Sequence, residues 1–276
     1  MLDFVKAIVL GIVQGATEFI PVSSSGHLVI VPWLLGWNSS SLLFDTILHW
    51  GTLLSIVLVF WRDFWAIIVA TLRSLWSRSL ADLYARLGWY IIVGSIPAAL
   101  LGIYFKDFFE ALFGSPLAAG SFLFVTAFLL ISSELLLQRL TVRRPLEKLS
   151  WGDIIVIGMA QAIALAPGIS RSGSTIAAGL ARGIRREDAA RYSFLLGTPV
   201  FLGAGLLQLL DVASTPGNDV VSQVPVLLVG FVVSAISGFI AIRFLLAYLR
   251  TRTLYPFAIY CILVGLLVVV GSWLGA

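Results

Sequence analysis

Two short segments hold the groups that could do chemistry. In the first, Gln14 and Glu18 are followed by Ser23, Ser24, Ser25, Gly26 and His27; in the second, PGISRSG, Ser170, Arg171, Ser172 and Gly173 come together. Gln14 and Glu18 are four residues apart and so share one face of a helix. Glu18 can act as a general base, a metal ligand or the counter-ion of Arg171, and its spacing leaves all three open. An imidazole, which ordinarily titrates near pH 6.5, makes His27 a proton-transfer candidate beside a row of hydroxyls. The forked donors of Arg171 match phosphate oxygens. Hydroxyl, imidazole, carboxylate and guanidinium together point to phosphoryl chemistry.

The rest of the chain must position these groups inside a membrane. Of 276 residues, 59% are hydrophobic and 12% charged, and the mean hydropathy is +1.02. These values exclude an ordinary soluble domain and indicate an all-α polytopic membrane protein. The pI of about 9.5 does not indicate nucleic acid, because Lys and Arg cluster at the ends of apolar runs. The single cysteine, Cys261, lies in an apolar run and supplies neither a disulfide nor a thiolate metal site. The apolar N-terminus is interrupted by Gln14 and Glu18 and does not read as a signal peptide.

Six stretches are long enough to cross a bilayer, which takes about 20 helical residues: Leu42 to Trp61, Leu87 to Phe105, Leu117 to Gln138, Ala189 to Leu210, Val224 to Tyr248 and Leu254 to Trp273. Two more regions, Leu2 to Leu35 and Trp151 to Ala181, are apolar but broken midway, one by PVSSSGH and the other by PGISRSG. Gly11, Gln14, Ser25 and Gly26 recur as Gly158, Gln161, Ser172 and Gly173, shifted by 147 positions. Gly51-Thr52 returns as Gly197-Thr198, and Val93-Gly94 with Gly102 returns as Val229-Gly230 with Gly238. The chain therefore reads as a single membrane domain, 1–276, built of two copies, 1–145 and 150–276, each a broken re-entrant hairpin followed by three spans. An odd number of spans inverts the second copy, so the hairpins should enter from opposite faces and meet near the midplane.

Non-helical backbone at membrane depth must be buried in protein or line a polar cavity. A helix restarting after each break presents free N–H groups and the positive end of its dipole, a site suited to phosphate. Arg171, costly at that depth, needs a partner, and Glu18 is the plausible one. His49, four residues after Asp45 within a span, reads as one half of an interhelix hydrogen bond, with a cavity-lining role as the alternative. Glu134, near a span end, reads as structural.

At Gly11 to His27, GIVQGATEFIPVSSSGH closely resembles the acidic motif and serine-rich segment of the undecaprenyl-diphosphate phosphatase, or bacitracin-resistance, family. PGISRSG resembles that family's second signature, and YPFAIYCI is also similar to it. The resemblance implies hydrolysis of a C55 polyprenyl diphosphate to the monophosphate carrier. It also implies that Glu18, His27 and Arg171 are essential, with Ser24 as candidate nucleophile. It further implies a divalent cation, Mg2+ or Ca2+, for which Glu18 is the candidate ligand. Gln14 stands where some members carry Glu and cannot itself be a base. Ser23, Ser25, Gly26, Ser170, Ser172 and Gly173, with Gln14, are then expected to line the diphosphate site. The expected mechanism has His27 taking the proton of Ser24 while Glu18 orients His27 or holds the cation. A flippase or anion transporter using the same midplane site is the alternative reading. The expected partners are the lipid substrate and membrane lipids, with no nucleic acid; a homo-oligomer is left open.

If both hairpins return to the side they came from, the basic runs Arg62 to Arg86, Arg139 to Lys148, Arg182 to Arg191 and Arg243 to Arg252 share one side. The other side receives Lys6 and Lys106 with acidic Asp107, Glu110, Asp211 and Asp219. The positive-inside rule assigns the basic side to the cytoplasm of a bacterial inner membrane, with both termini and the Glu18 hairpin facing outward. A reporter fused at the C-terminus should therefore score as external; a cytoplasmic signal would overturn this topology.

Overall fold

The computed structural model describes residues 2–140, 143–214 and 220–274; Asp219 and the side chains of Lys106, Glu110 and Asp211 lie outside the described residues. The first half comprises α1 (Leu2–Phe19), α2 (Ser24–Leu34), α3 (Leu42–Ser77), α4 (Leu83–Tyr104), α5 (Lys106–Phe113) and α6 (Pro116–Gln138). The second comprises α7 (Trp151–Ile163), α8 (Arg171–Ala181), α9 (Arg186–Ser214), α10 (Val220–Leu249) and α11 (Tyr255–Trp273). Among the described residues, six helices, α3, α4, α6, α9, α10 and α11, are long and apolar enough to cross a membrane. Their outward faces carry large apolar side chains such as Leu58, Trp65, Phe128, Ile236 and Leu263, a surface suited to hydrocarbon and not to water. The chain is an all-α, multi-pass membrane protein.

Two elements differ from the sequence expectation. The first span does not end at Trp61: α3 bends at Phe60 (φ −110°, ψ 23°) and continues to Ser77, and its extension packs on α4 through Thr71 against Gly88 and Ser74 against the Trp89 indole N–H. Helix α5 was not expected; its Phe109 and Leu112 cover Ala164, Ala166 and Ile169 of the second break.

At 11 residues each, α2 and α8 are only about 16 Å long, roughly half a hydrocarbon core. Where their ends lie follows from side-chain contacts. Arg182, after α8, donates through Nε to Asp153 at the start of α7 at 2.8 Å, and Arg144 donates to the same carboxylate at 2.9 Å. Hence α7 begins and α8 ends at one end of the molecule. Arg186 with Glu134, Arg191 with Asp63 and Arg250 with Glu187 gather the start of α9, the ends of α6 and α10 and the bend region of α3 at that same end. The other hairpin has its open end elsewhere: Lys6, early in α1, lies over the Trp37 ring beyond α2. Ala7, Leu10 and Leu28 pack with Leu48 and with Leu227 from the start of α10.

Helix pairings repeat between the halves: α1 packs on α10 as α7 packs on α4, and α3 packs on α10 as α9 packs on α4. The repeated glycines are why these backbones come so close. A Cβ on Gly11 would stand 3.0 Å from the Gly230 carbonyl oxygen, and one on Gly158 would stand 2.7 Å from that of Gly94. Each of these close pairs joins the equivalents of the other. Packing without Cβ atoms is how membrane helices gain van der Waals contact in a solvent as apolar as their own side chains.

Glu134 meets its structural expectation. Fully buried, it accepts from Arg186 and, at 2.9 Å, from the backbone N–H of Leu254, fixing the entry to α11.

Substituting Val at Gly158 should force α7 off α4 and cost about 1–3 kcal/mol of stability. Ala at Gly203, where an added Cβ meets nothing within 4 Å, should leave the thermal midpoint in detergent unchanged. Equal midpoints for the two variants would refute the close-packing argument.

Candidate active site

Pro21 has no N–H to continue α1, and the chain turns through residues 20–23 before restarting at Ser24. Ser23 adopts a positive φ of 72°, uncommon for a residue with a Cβ and a form of strain found at functional sites. The turn lets the Ser23 hydroxyl cap Gly26 N–H at 3.2 Å, while its carbonyl accepts from His27 Nδ1 at 2.7 Å. The second break, residues 164–170, ends in the same device: Ser170 Oγ caps Gly173 N–H at 3.0 Å. Hydroxyl pairs Ser23–Ser25 and Ser170–Ser172, each at 3.3 Å, complete the likeness. Thr126 of α6 accepts from Ser170 N–H and donates to the Gly168 carbonyl, both at 2.8 Å, so polar backbone at the break is satisfied inside the protein.

The two breaks touch. A Cβ on Gly26 would lie 3.0 Å from Gly168 Cα, and one on Gly173 would lie 3.4 Å from Pro21 Cβ. Gly26 and Gly173, expected to bind substrate, therefore sit at the junction, where they let Ser24 and Arg171 approach.

At that junction Glu18 is 4% exposed and accepts three hydrogen bonds. Arg171 Nη2 donates to Oε1 at 2.8 Å; Ser24 Oγ at 2.6 Å and Gln14 Nε2 at 2.9 Å donate to Oε2. Thus Gln14, Glu18, Ser24 and Arg171 form one network joining the halves. Arg171 also donates through Nη1 to the Ser193 carbonyl at 3.0 Å and lies over the Phe201 ring, 4.5 Å from its centroid. Thr175 bonds the Ser193 hydroxyl at 2.6 Å, and Gly197 leaves the space that the guanidinium fills.

His27 is buried but is not part of this network. Its Nδ1 must donate, because the Ser23 carbonyl can only accept; the neutral ring then accepts through Nε2 from the Tyr260 hydroxyl at 2.8 Å. The expected Ser24-to-His27 proton transfer is therefore replaced by a Ser24–Glu18 pair, and Glu18 does not orient His27. His49 departs from its interhelix reading as well. Its Nδ1 bonds the Asp45 carbonyl of its own helix at 2.8 Å, and its Nε2 faces Glu18 Oε2 at 3.6 Å.

Sequence reasoning gave His49 a cavity-lining role only as its alternative, and missed Tyr260, Phe201, Ser193 and Gly197 as parts of this region. The repeated Gly-Thr pair pointed toward Gly197, and YPFAIYCI, which contains Tyr260, stood out only by resemblance. Nothing local marks Phe201 or Ser193, which arrive from a distant helix.

The site suits an anion. Arg171 occupies the first turn of α8, where a cation opposes the helix dipole, and the start of α2 adds a second positive helix end. Arg171 Nε and Gln14 Oε1 are buried without a protein partner, and Nε–H is a donor that a phosphate oxygen would satisfy. The donor set does not suit a protein-held divalent cation. Both Glu18 oxygens are engaged, one of them by a guanidinium, and among the described residues no three His, Cys, Asp or Glu side chains come together.

Residues 7–267 match the family model described as bacitracin resistance protein BacA. A protein of Methanosphaera stadtmanae called undecaprenyl-diphosphatase is 43% identical, the match covering 99% of each chain. Proteins of the same description from Halothermothrix orenii, 42% identical over 98% of each chain, and Thermomicrobium roseum, 44% identical over 95% of each, are similarly alike.

Removing Arg171 alone should strand the Glu18 charge, and breaking a buried pair typically costs about 3–5 kcal/mol. The Arg171→Ala protein should melt lower in detergent, and the Glu18→Gln/Arg171→Ala protein should recover much of the loss. A double variant no more stable than the single would refute a buried ion pair at the junction.

Proposed function

The chain belongs to the bacitracin resistance protein family, and from that premise we infer that it hydrolyses undecaprenyl diphosphate to undecaprenyl phosphate and inorganic phosphate. This activity recycles the lipid carrier of peptidoglycan and other envelope polymers and underlies resistance to bacitracin. The observation that carries the reading to particular atoms is the 2.6 Å hydrogen bond from the Ser24 hydroxyl to Glu18, beside Arg171. A nucleophile, a base and an anion-binding group meet there where the two breaks touch.

In the reaction we propose, Arg171 and the free N–H groups at the starts of α2 and α8 hold the diphosphate. Ser24 Oγ attacks the terminal phosphorus and its proton passes to Glu18 Oε2. The bond from that phosphorus to the bridging oxygen breaks, and the lipid monophosphate leaves. Water then attacks the phosphoserine, releasing phosphate and restoring the Ser24 hydroxyl. His27, bonded to Tyr260, fixes the turn that presents Ser24. Gln14 holds Glu18, while Ser23, Ser25, Ser170 and Ser172 shape the two helix starts. Among the described residues no carboxylate set comes together to hold a Mg2+ or Ca2+ ion, so the reaction is written on the protein's own groups.

We place the protein in the bacterial inner membrane, with the Glu18 hairpin and both termini on the outer side. The clustering of basic residues at the end of the molecule where α7 begins and α8 ends supports this orientation. The same contacts support reading the two broken helices as re-entrant hairpins of inverted repeats.

Purified protein in detergent should release phosphate from a C55 or C15 prenyl diphosphate with no membrane to cross, which a transporter would not do. Ser24→Ala, Glu18→Gln and Arg171→Ala should each lower turnover by about 10²-fold or more, and a phosphoserine should be trappable at Ser24. Near-normal turnover by Ser24→Ala would end the serine mechanism. No release by folded wild-type protein supplied with lipid and cation would end the hydrolase reading.

A further inference from the structure

Glu18, once protonated by Ser24, has few ways to lose that proton. Its side chain is 3% exposed. Of its neighbours, Arg171 is permanently charged, the Gln14 amide does not accept a proton at neutral pH, and Ser24 is where the proton came from. His49 is the remaining contact. Its Nδ1 lies 2.8 Å from the Asp45 carbonyl, which can only accept, so the neutral ring carries its hydrogen on Nδ1. The lone pair of Nε2 is then turned toward Glu18 Oε2 at 3.6 Å. That separation exceeds a hydrogen bond, but a ring shift of under about 1 Å closes it. The His49 side chain is 26% exposed, so the ring joins the buried carboxylate to a surface that the protein leaves uncovered.

We propose that His49, acting through Glu18, is the outlet for the proton that the carboxylate receives. The inference rests on the diphosphatase reading above. In the step, the Oε2–H bond of protonated Glu18 breaks and an Nε2–H bond forms, giving an imidazolium. Water or a buffer base then takes that proton, leaving Glu18 ionised for the next attack. The surroundings favour a transient cation at His49. Asp45, one turn earlier in α3, is held by the Ser40 hydroxyl at 2.6 Å, and Glu18 faces the ring from α1. Arg171 of α8 lies beyond Glu18, paired with it. Helix α9 presents the Phe201 ring, 5.6 Å from the imidazole, and α10 contributes the Ser234 hydroxyl, bonded to the Leu48 carbonyl. Helix α4 meets α3 at Ile67, Thr71 and Ser74, beyond the bend.

The test is steady-state phosphate release by the purified full-length protein from C15 prenyl diphosphate across mildly acidic to mildly alkaline pH, for wild type, His49→Ala and His49→Gln. Both variants should lose about tenfold or more in kcat with KM little changed. They should lack the wild-type fall in rate on the acid side. Added imidazole should restore part of the His49→Ala rate, because the ring it replaces is not fully enclosed by protein. Glutamine can still hydrogen-bond Glu18 but cannot carry a proton. Full activity in His49→Gln, or a loss that imidazole does not relieve in either variant, overturns the proposal. Wild-type protein that releases no phosphate overturns the diphosphatase reading, whereas an active wild type with insensitive variants overturns only the role of His49.

Discussion

A guanidinium and a carboxylate, each contributed by a different half of the chain, lie 2.8 Å apart where water is largely excluded. Either charge alone would be costly at that depth, and two joined charges in a low-dielectric interior still cost unless their remaining donors and acceptors are used. The surrounding residues follow from that requirement. Gln14 and Ser24 occupy the second oxygen of Glu18, the Ser193 carbonyl takes one arm of Arg171, and the Phe201 ring covers its face. The Nε–H of Arg171 is buried without a protein partner, and it belongs to the residue best suited to an incoming phosphate. The pair that binds the two halves together is thus also the pair that chemistry would use.

Bringing these charges together requires two helices to stop inside the protein, where unpaired backbone is expensive. The structure solves this twice with one device. A serine caps the restarting helix, a glycine three residues later lets the opposite break approach, and a flanking helix closes the gap. Thr126 does so for the second break by bonding both sides of it; at the first, the Cys261 thiol lies against the Pro21 carbonyl at 4.0 Å. The halves then diverge in chemistry. The position of Glu18 is taken by Leu165 in the second copy, that of Ser24 by Arg171 and that of His27 by Ser174. The first half carries the carboxylate and the hydroxyl bonded to it, and the second contributes the guanidinium.

Much of this was legible in the sequence. The spans followed from length and hydropathy, and the breaks from Pro, Gly and Ser. Glu18, Ser24 and Arg171 were legible because charge and hydroxyl are conspicuous in an apolar chain. The bend at Phe60 was not legible, because an apolar helix reads alike whether straight or bent, and the short helix α5 was hidden by its ordinary amphipathic composition.

Residue type and spacing by themselves determined that a polar site had to exist at the meeting of two broken helices, since neither Arg171 nor broken backbone can face lipid unpaired. Only the tertiary structure decided which groups touch. Ser24 and His27 are three residues apart and read as a nucleophile and its base, yet the serine bonds Glu18 and the histidine bonds Tyr260, which lies on the last helix. His49 read as one half of an interhelix hydrogen bond, with cavity lining as the alternative, and its Nε2 faces the Glu18 carboxylate at 3.6 Å. Partnership of this kind depends on side-chain direction across helices distant in sequence, set by how glycine-lined backbones pack, and no local spacing encodes it.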